Sequence, residues 1–225
     1  MNLLQLVNRT RVECGVSGPA LATLVGVSGE SARILGWVQQ AWTELQTLKD
    51  DWQWMQSSFG FNLTPMGTTF TPGNDVGLAD FGRWKLDSFR CSTDNTYFDE
   101  QPLDYLEWQP FRDHFWYGTA RSTFSRPTVF TVTPSKALSF GPAPDLDYYV
   151  NGEYFTAPTE LALDADTPGI PAASHMLLVY AAMIFYAGYE AAPEVLARGD
   201  AGYKRLLGQL ENDQLPTIIS GPPLA

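Results

Sequence analysis

His114 and His175 are the only two imidazoles in the 225-residue chain. A His-based triad or a zinc site would therefore draw its other groups from far along the sequence, and no spacing nominates them. His175 opens an apolar stretch and reads as a packed or capping residue. His114, between Asp113 and Phe115, reads as a surface or interface residue. Asp164-x-Asp166-x-x-Gly169 copies the opening of a calcium loop. Its twelfth position, however, is His175 where a bidentate Glu is required, and Pro168 stiffens the middle. The acid pairs Asp50-Asp51 and Asp99-Glu100 are carboxylates of the type that cleaves glycosidic bonds, and the many aromatics could stack on a sugar. Adjacent acids usually point apart, though, and no spacing selects a working pair. Gly26-Val27-Ser28-Gly29 lacks the spacing of a nucleophile elbow, and no Walker-type phosphate loop is present. Cys14 and Cys91 form neither a metal spacing nor a disulfide framework, which fits two reduced thiols in a cytosolic setting. No residue is nominated as catalytic, cofactor-binding or metal-ligating.

The net charge of −11 argues against a protein that grips nucleic-acid phosphates. The acid comes in blocks. Residues 74–115 carry nine acids against four bases, and 143–170 carry six acids and no base. Between them, 116–142 carries only Arg121, Arg126 and Lys136. Such blocks are read first as solvated surface, and second as an acidic lining or a site for a basic partner. Seven Trp and ten Tyr exclude general disorder. The first residues lack the basic start and the long apolar run of a secretory signal, so the sequons at Asn8 and Asn62 are read as accidental.

The elements that must position these groups are organised around residues 171–192. From Met176 to Tyr189 no residue is charged. Ser174, Ala181 and Gly188, seven apart, lie on one line of a helix and predict a flat groove where another helix approaches closely. Leu177, Tyr180, Ile184, Ala187 and Ala191 form a second line, and Leu178, Ala182, Phe185 and Tyr189 a third. A helix apolar nearly all round is buried in a bundle or in lipid. The run is shorter than the roughly twenty residues that cross a bilayer, and no Lys or Arg flanks it closely, so the bundle is the reading adopted.

Apolar steps of three and four also predict helices over 2–14, ended by Gly15, and over 28–57, carrying Ile34, Trp37, Val38, Ala41, Leu45, Leu48 and Trp52. A last helix, 194–210, follows Pro193 and buries Leu196, Tyr203, Leu207 and Leu210, weakened by Gly199, Gly202 and Gly208. Between the helical ends, strands are expected over 59–64, 83–90, 128–133, 137–141 and 146–157, with one helical turn near 109–115. Thr133-Pro134-Ser135-Lys136 predicts a hairpin turn. Asn151-Gly152 is a hairpin signal too, yet it lies inside a run that could be one long strand with a bulge. The expected class is α+β: a helical bundle of residues 1–58 plus 165–214, an inserted antiparallel β domain over 59–164, and an extended tail over 215–225.

The same order of elements carries a family resemblance. A Trp52/Trp54 segment closes the first helices. The insertion ends in Pro142, Pro144, Tyr148, Tyr149, Gly152, Tyr154 and Pro158. The acidic loop from Asp164 and Asp166 to Pro171 then leads into His175, Tyr180, Tyr186, Gly188 and Tyr189. Over roughly residues 1–212 this resembles the head-to-tail adaptor proteins of tailed bacteriophages, the tail-tubular-A-like group.

The resemblance implies a structural virion subunit rather than an enzyme, with no cofactor. Such subunits form a ring below the portal protein, commonly a dodecamer, extend the DNA channel and receive a downstream tail or nozzle protein. It implies a place in the neck between capsid and tail, reached by assembly in the host cytoplasm, with DNA passing through without specific binding and no membrane. It also implies that 147–157 is one long strand, which is the reading taken here. An acidic channel that passes DNA should not bind it, which fits the charge. The tail residues Leu215, Ile218, Ile219 and Leu224 are apolar among prolines and glycine, and are expected to form a portal contact. Two other classes stay open: a carbohydrate-binding or glycan-cleaving β module of a phage particle, and a membrane-associated protein built on the central helix.

Overall fold

The computed structural model describes residues 1–216, so the expected portal contacts Ile218, Ile219 and Leu224 lie outside the described residues. The fold is α+β, with helices in the N- and C-terminal parts of the chain and the strands between them. It divides into two compact units. One is Met1–Met55 together with the chain from Pro158 onward, and the other is Gln56–Ala157.

The helical unit begins with α1, Leu3–Glu13, whose cap residue Asn2 exchanges hydrogen bonds with Gln5 in a capping box. Gly15, at φ 75°, turns the chain out of α1. Helix α2 spans Gly29–Leu48 and buries Ile34, Val38, Ala41, Trp42 and Leu45. It stops short of the predicted end at Ser57. Lys49 is extended, and the chain folds back so that the Trp52 indole N–H donates to the Leu45 carbonyl at 2.9 Å. That bond satisfies one of the last carbonyls of α2 from a side chain. Trp52 thus sits on the side that helical spacing predicts, without being helical.

The central helix α4, Met176–Glu190, follows a single 3-10 turn over Ala172–Ser174. (Helix α3 lies in the other unit.) Leu177, Leu178, Val179, Ala182, Met183 and Ala187 of α4 are buried, and α1, α2 and α5 pack against it. Ala191, at φ 52°, ends it, and Pro193 starts α5, Pro193–Gln214.

Close packing here comes from α5 rather than from the predicted groove. A Cβ on Gly202 would lie 2.7 Å from the Tyr180 ring, and one on Gly199 would lie 3.2 Å from Met183, Ile184 and the Tyr180 carbonyl. Gly188, by contrast, is exposed and a Cβ there meets nothing, while Ser174 and Ala181 are only half-buried. The line Ser174, Ala181, Gly188 is therefore an open side of α4. Leu196, expected in the core, is 43% exposed, and Val195 takes the buried place beside it.

The β unit holds two sheets. The first has strand order β1-β7-β2-β3, from β1 Gln56–Leu63, β7 Tyr148–Thr156, β2 Phe81–Ser92 and β3 Gln101–Pro102, all antiparallel. The second joins β4 Asp104–Tyr105, β5 Val129–Val132 and β6 Leu138–Gly141, with the short β4–β5 pairing parallel. Strand β1 alternates as half-buried sheets do, with Phe59, Phe61 and Leu63 inward.

The rings of Phe89 and Phe130 stack at 4.0 Å and bind the two sheets together. The β5–β6 hairpin turns at the predicted Thr133–Lys136, with the Lys136 N–H donating to the Thr133 carbonyl and Lys136 at φ 65°. β7 runs unbroken through Asn151-Gly152. A Cβ on Gly152 would come within 3.1 Å of the Phe59 ring, so the glycine serves a close approach and not a turn. The bulge lies on the partner strand, where the β2 register jumps between Lys85 and Arg90. Helix α3, Trp108–Phe115, extends the single predicted turn and packs Phe111 and Phe115 over Gly141.

Candidate functional site

The chemically suggestive residues are occupied with structural work. His175 is buried, with Nε2 3.2 Å from the Ile170 carbonyl and Nδ1 against the Met1 amino group. Burial, and next the nearby ammonium, hold its pKa below the ordinary histidine value, so it is a neutral packed residue. The calcium-like pair is spent on the chain itself. Asp164 accepts from the Thr23 hydroxyl at 2.7 Å and the Leu24 N–H at 2.9 Å, and Asp166 accepts from the N–H groups of Ala162 and Leu163. Their main-chain carbonyls accept from Leu4 and Leu3, the open first turn of α1. No cluster of metal-binding side chains occurs among the described residues.

The acid pairs do not form a catalytic couple. Asp99 pairs with Arg126 at 2.7 Å and Glu100 with Arg90 at 2.8 Å. Hydrogen bonds from Thr93, then the Arg126 charge, hold the Asp99 carboxyl below the usual carboxylate range. Asp50 and Asp51 are exposed. His114 is exposed at the end of α3, edge-on to Phe115. Cys14 and Cys91 are free and buried, and burial pushes the Cys14 thiol up to about 12.

What the fold leaves open is surface shape. In the β unit a cavity of about 230 Å³ is lined by Phe115, Trp116, Ala120, Arg121, Phe140 and Ala143. A polar cleft of about 610 Å³ runs over Gly60 and Gly152, with Tyr97, Tyr149 and Asn151 at its walls. The loop between β2 and β3 holds Phe98 out at 98% exposure. In the helical unit, Trp37 packs on Tyr186 and Tyr189, and the Arg33 guanidinium lies 4.5 Å from the Tyr189 ring centre.

Leu215, the one expected portal contact that is described, is half-buried and donates its N–H to Glu211 as it ends α5. Sequence reasoning passed over Phe98 and the Phe115–Arg121 cavity. The available signal was the alternation of an acid-rich block holding Phe98 with an acid-free block holding Arg121.

Ala172–Glu190 is long and apolar enough, by length and composition alone, to cross a membrane. In the fold it is the core of the helical unit, packed by three helices.

The model of the SU10 adaptor protein family matches residues 1–221. The chain belongs to that family, and thereby to the structural adaptor proteins of bacteriophage particles. No curated protein matches it at a significant level. As an adaptor it is a virion component that joins other phage proteins, such as portal and tail, and its class is structural.

Proposed function

We propose that this chain is the head-to-tail adaptor of its particle: a ring of twelve copies below the portal that prolongs the DNA channel and receives the tail or nozzle protein. The family match over residues 1–221 carries the reading. Charge supports it. A net −11, with the long acid-only block over 143–170, repels phosphate and lets DNA pass without sticking. The described residues nominate no working carboxylate pair, so a glycan-cleaving module has no support.

The tail from Leu215, with Ile218, Ile219 and Leu224, is proposed as an arm that docks on the portal. One arm contributes weak affinity after its ordering cost, whereas a ring of arms on a ring of sites holds firmly because each later contact is intramolecular. Native mass of the protein alone and mixed with its portal tests the ring. A 1:1 subunit ratio in one closed complex is expected, and two species that stay separate would overturn the reading. Removing 215–225 is expected to leave the melting temperature almost unchanged and to abolish co-sedimentation with the portal. Normal binding by the truncated chain would move the contact to the helical unit.

A further inference from the structure

We infer that adjacent copies of this chain join through a knob and a hole in the β unit, with Phe98 of one copy seated in the Phe115–Arg121 cavity of the next. The inference rests on the ring reading above and names the contact that would build it.

The knob is held out rigidly. The Thr93 N–H and hydroxyl both donate to the Asp99 carboxylate, and the Thr96 N–H and hydroxyl both donate to Asp94. Arg126 donates to the Asp99 carboxylate and to the main-chain carbonyls of Asp99 and Cys91 at 2.6–2.8 Å. Glu100 is tied to Arg90 and Asn151. A loop fastened at so many points presents an almost fully solvated phenyl ring, and little ordering cost remains to be met on docking.

The hole fits that ring. Its lining is mostly apolar, from Phe115, Trp116, Phe140, Ala120 and Ala143, with Thr68 and Arg121 as its polar members, and its volume is about 230 Å³. A dry apolar cavity of roughly 150 Å³ already accepts benzene.

Charge selects the same pairing. The 93–100 loop carries Asp94, Asp99 and Glu100 and no base, while 116–142 carries three bases and no acid. Asp99 and Glu100 are neutralised by Arg126 and Arg90 of the same copy, which spends one of those three bases, but Asp94 has no cation partner among the described residues. Arg121 at the cavity has no carboxylate partner among the described residues, its Nε and Nη2 both donating to the Trp116 carbonyl. Knob and hole belong to one compact unit present in every copy, so the contact repeats from copy to copy, as a head-to-tail interface does.

The full chain is tested alone and mixed with its portal, with Phe98 replaced by the photo-cross-linker p-benzoylphenylalanine and heavy- and light-isotope copies combined. Rings whose cross-links run from position 98 to residues 115–121 or 140–143 of a different copy are expected. Phe98→Ala should weaken self-association about tenfold or more at unchanged melting temperature. Asp94→Arg and Arg121→Glu should each weaken it less, and the double variant should recover. Rings that form without that cross-link, cross-links confined to one copy, or Phe98→Ala copies that associate like the parent overturn this contact and leave the adaptor reading standing. Failure to form rings even with portal present overturns the ring itself, and this contact with it.

Discussion

In the helical unit α4 and α5 approach through missing side chains, at Gly199 and Gly202, whereas the β unit closes over interlocking rings from Phe61 and Phe70 through Phe140 to Phe130 and Phe89. Both are tight, but they fail in opposite directions. A glycine contact has no room for an added atom, while a ring core has no spare atom to lose. Adding atoms at the α4–α5 contact and removing a ring from the β-unit core should therefore both destabilise, each by its own route.

The largest effect expected is from Phe89→Ala, which removes one half of the stack on Phe130 and should cost about 3–5 kcal/mol. Hydrogen exchange should show protection lost across 56–157 and kept in α4. Equal loss in both units would mean that they unfold as one. Next, Gly202→Leu should cost about 1–3 kcal/mol or more against the Tyr180 ring. Gly188→Leu should do the reverse, since a Cβ there meets nothing and leaving glycine gains up to about 1 kcal/mol of helix propensity. Denaturant melts of the pair give the comparison, and a destabilised Gly188→Leu would restore the groove predicted from spacing. Trp52→Phe loses the bond to the Leu45 carbonyl, for about 1 kcal/mol, and adds the cost of the space left by the smaller ring. If the melt does not move, that carbonyl has found another donor and the space has closed.

The smallest effect is one of pH. His175 has a depressed folded pKa, while the unfolded chain takes up the proton near the usual value of about 6.5. Its contribution is therefore full above about pH 6.5 and is lost as pH falls through the folded value. Melts of the parent between pH 7 and pH 5 should decline more steeply than those of His175→Gln. Parallel slopes would assign the decline to other groups.

The sequence showed the long elements because a repeated step along one helix is a local property. Steps of three and four placed α2, α4 and α5. The same steps overran the end of α2, because Trp52 lies seven residues after Leu45 and keeps the periodicity while its backbone turns away. Spacing put Ser174, Ala181 and Gly188 on one line but carried no information about which line a neighbour covers. The covering glycines lay on α5, where propensity reads glycine only as weakness. Strands β3 and β4, two residues each, exist through their partners and leave no pattern of their own. Asp164, Asp166, Asp99 and Glu100 are each held by donors that a one-dimensional reading does not pair, so their structural work was not legible. Nor were Phe98 and Arg121, because exposure and unpaired charge belong to the folded surface.

The first turn of α1 is closed by carbonyls that arrive very late. Leu3 and Leu4 donate their N–H groups to Asp166 and Asp164, and both ends of the helical unit wait on chain emerging after residue 158. The β unit, by contrast, is contiguous and can finish while the ribosome is still working. We expect translation to build the molecule from the inside out, with its oldest residues among the last to settle. Nascent chains stalled with 56–157 outside the exit tunnel and the later segment still inside should resist protease across the β unit and be cut in α1 and α2. Equal protection of α1 at that length would reverse the order.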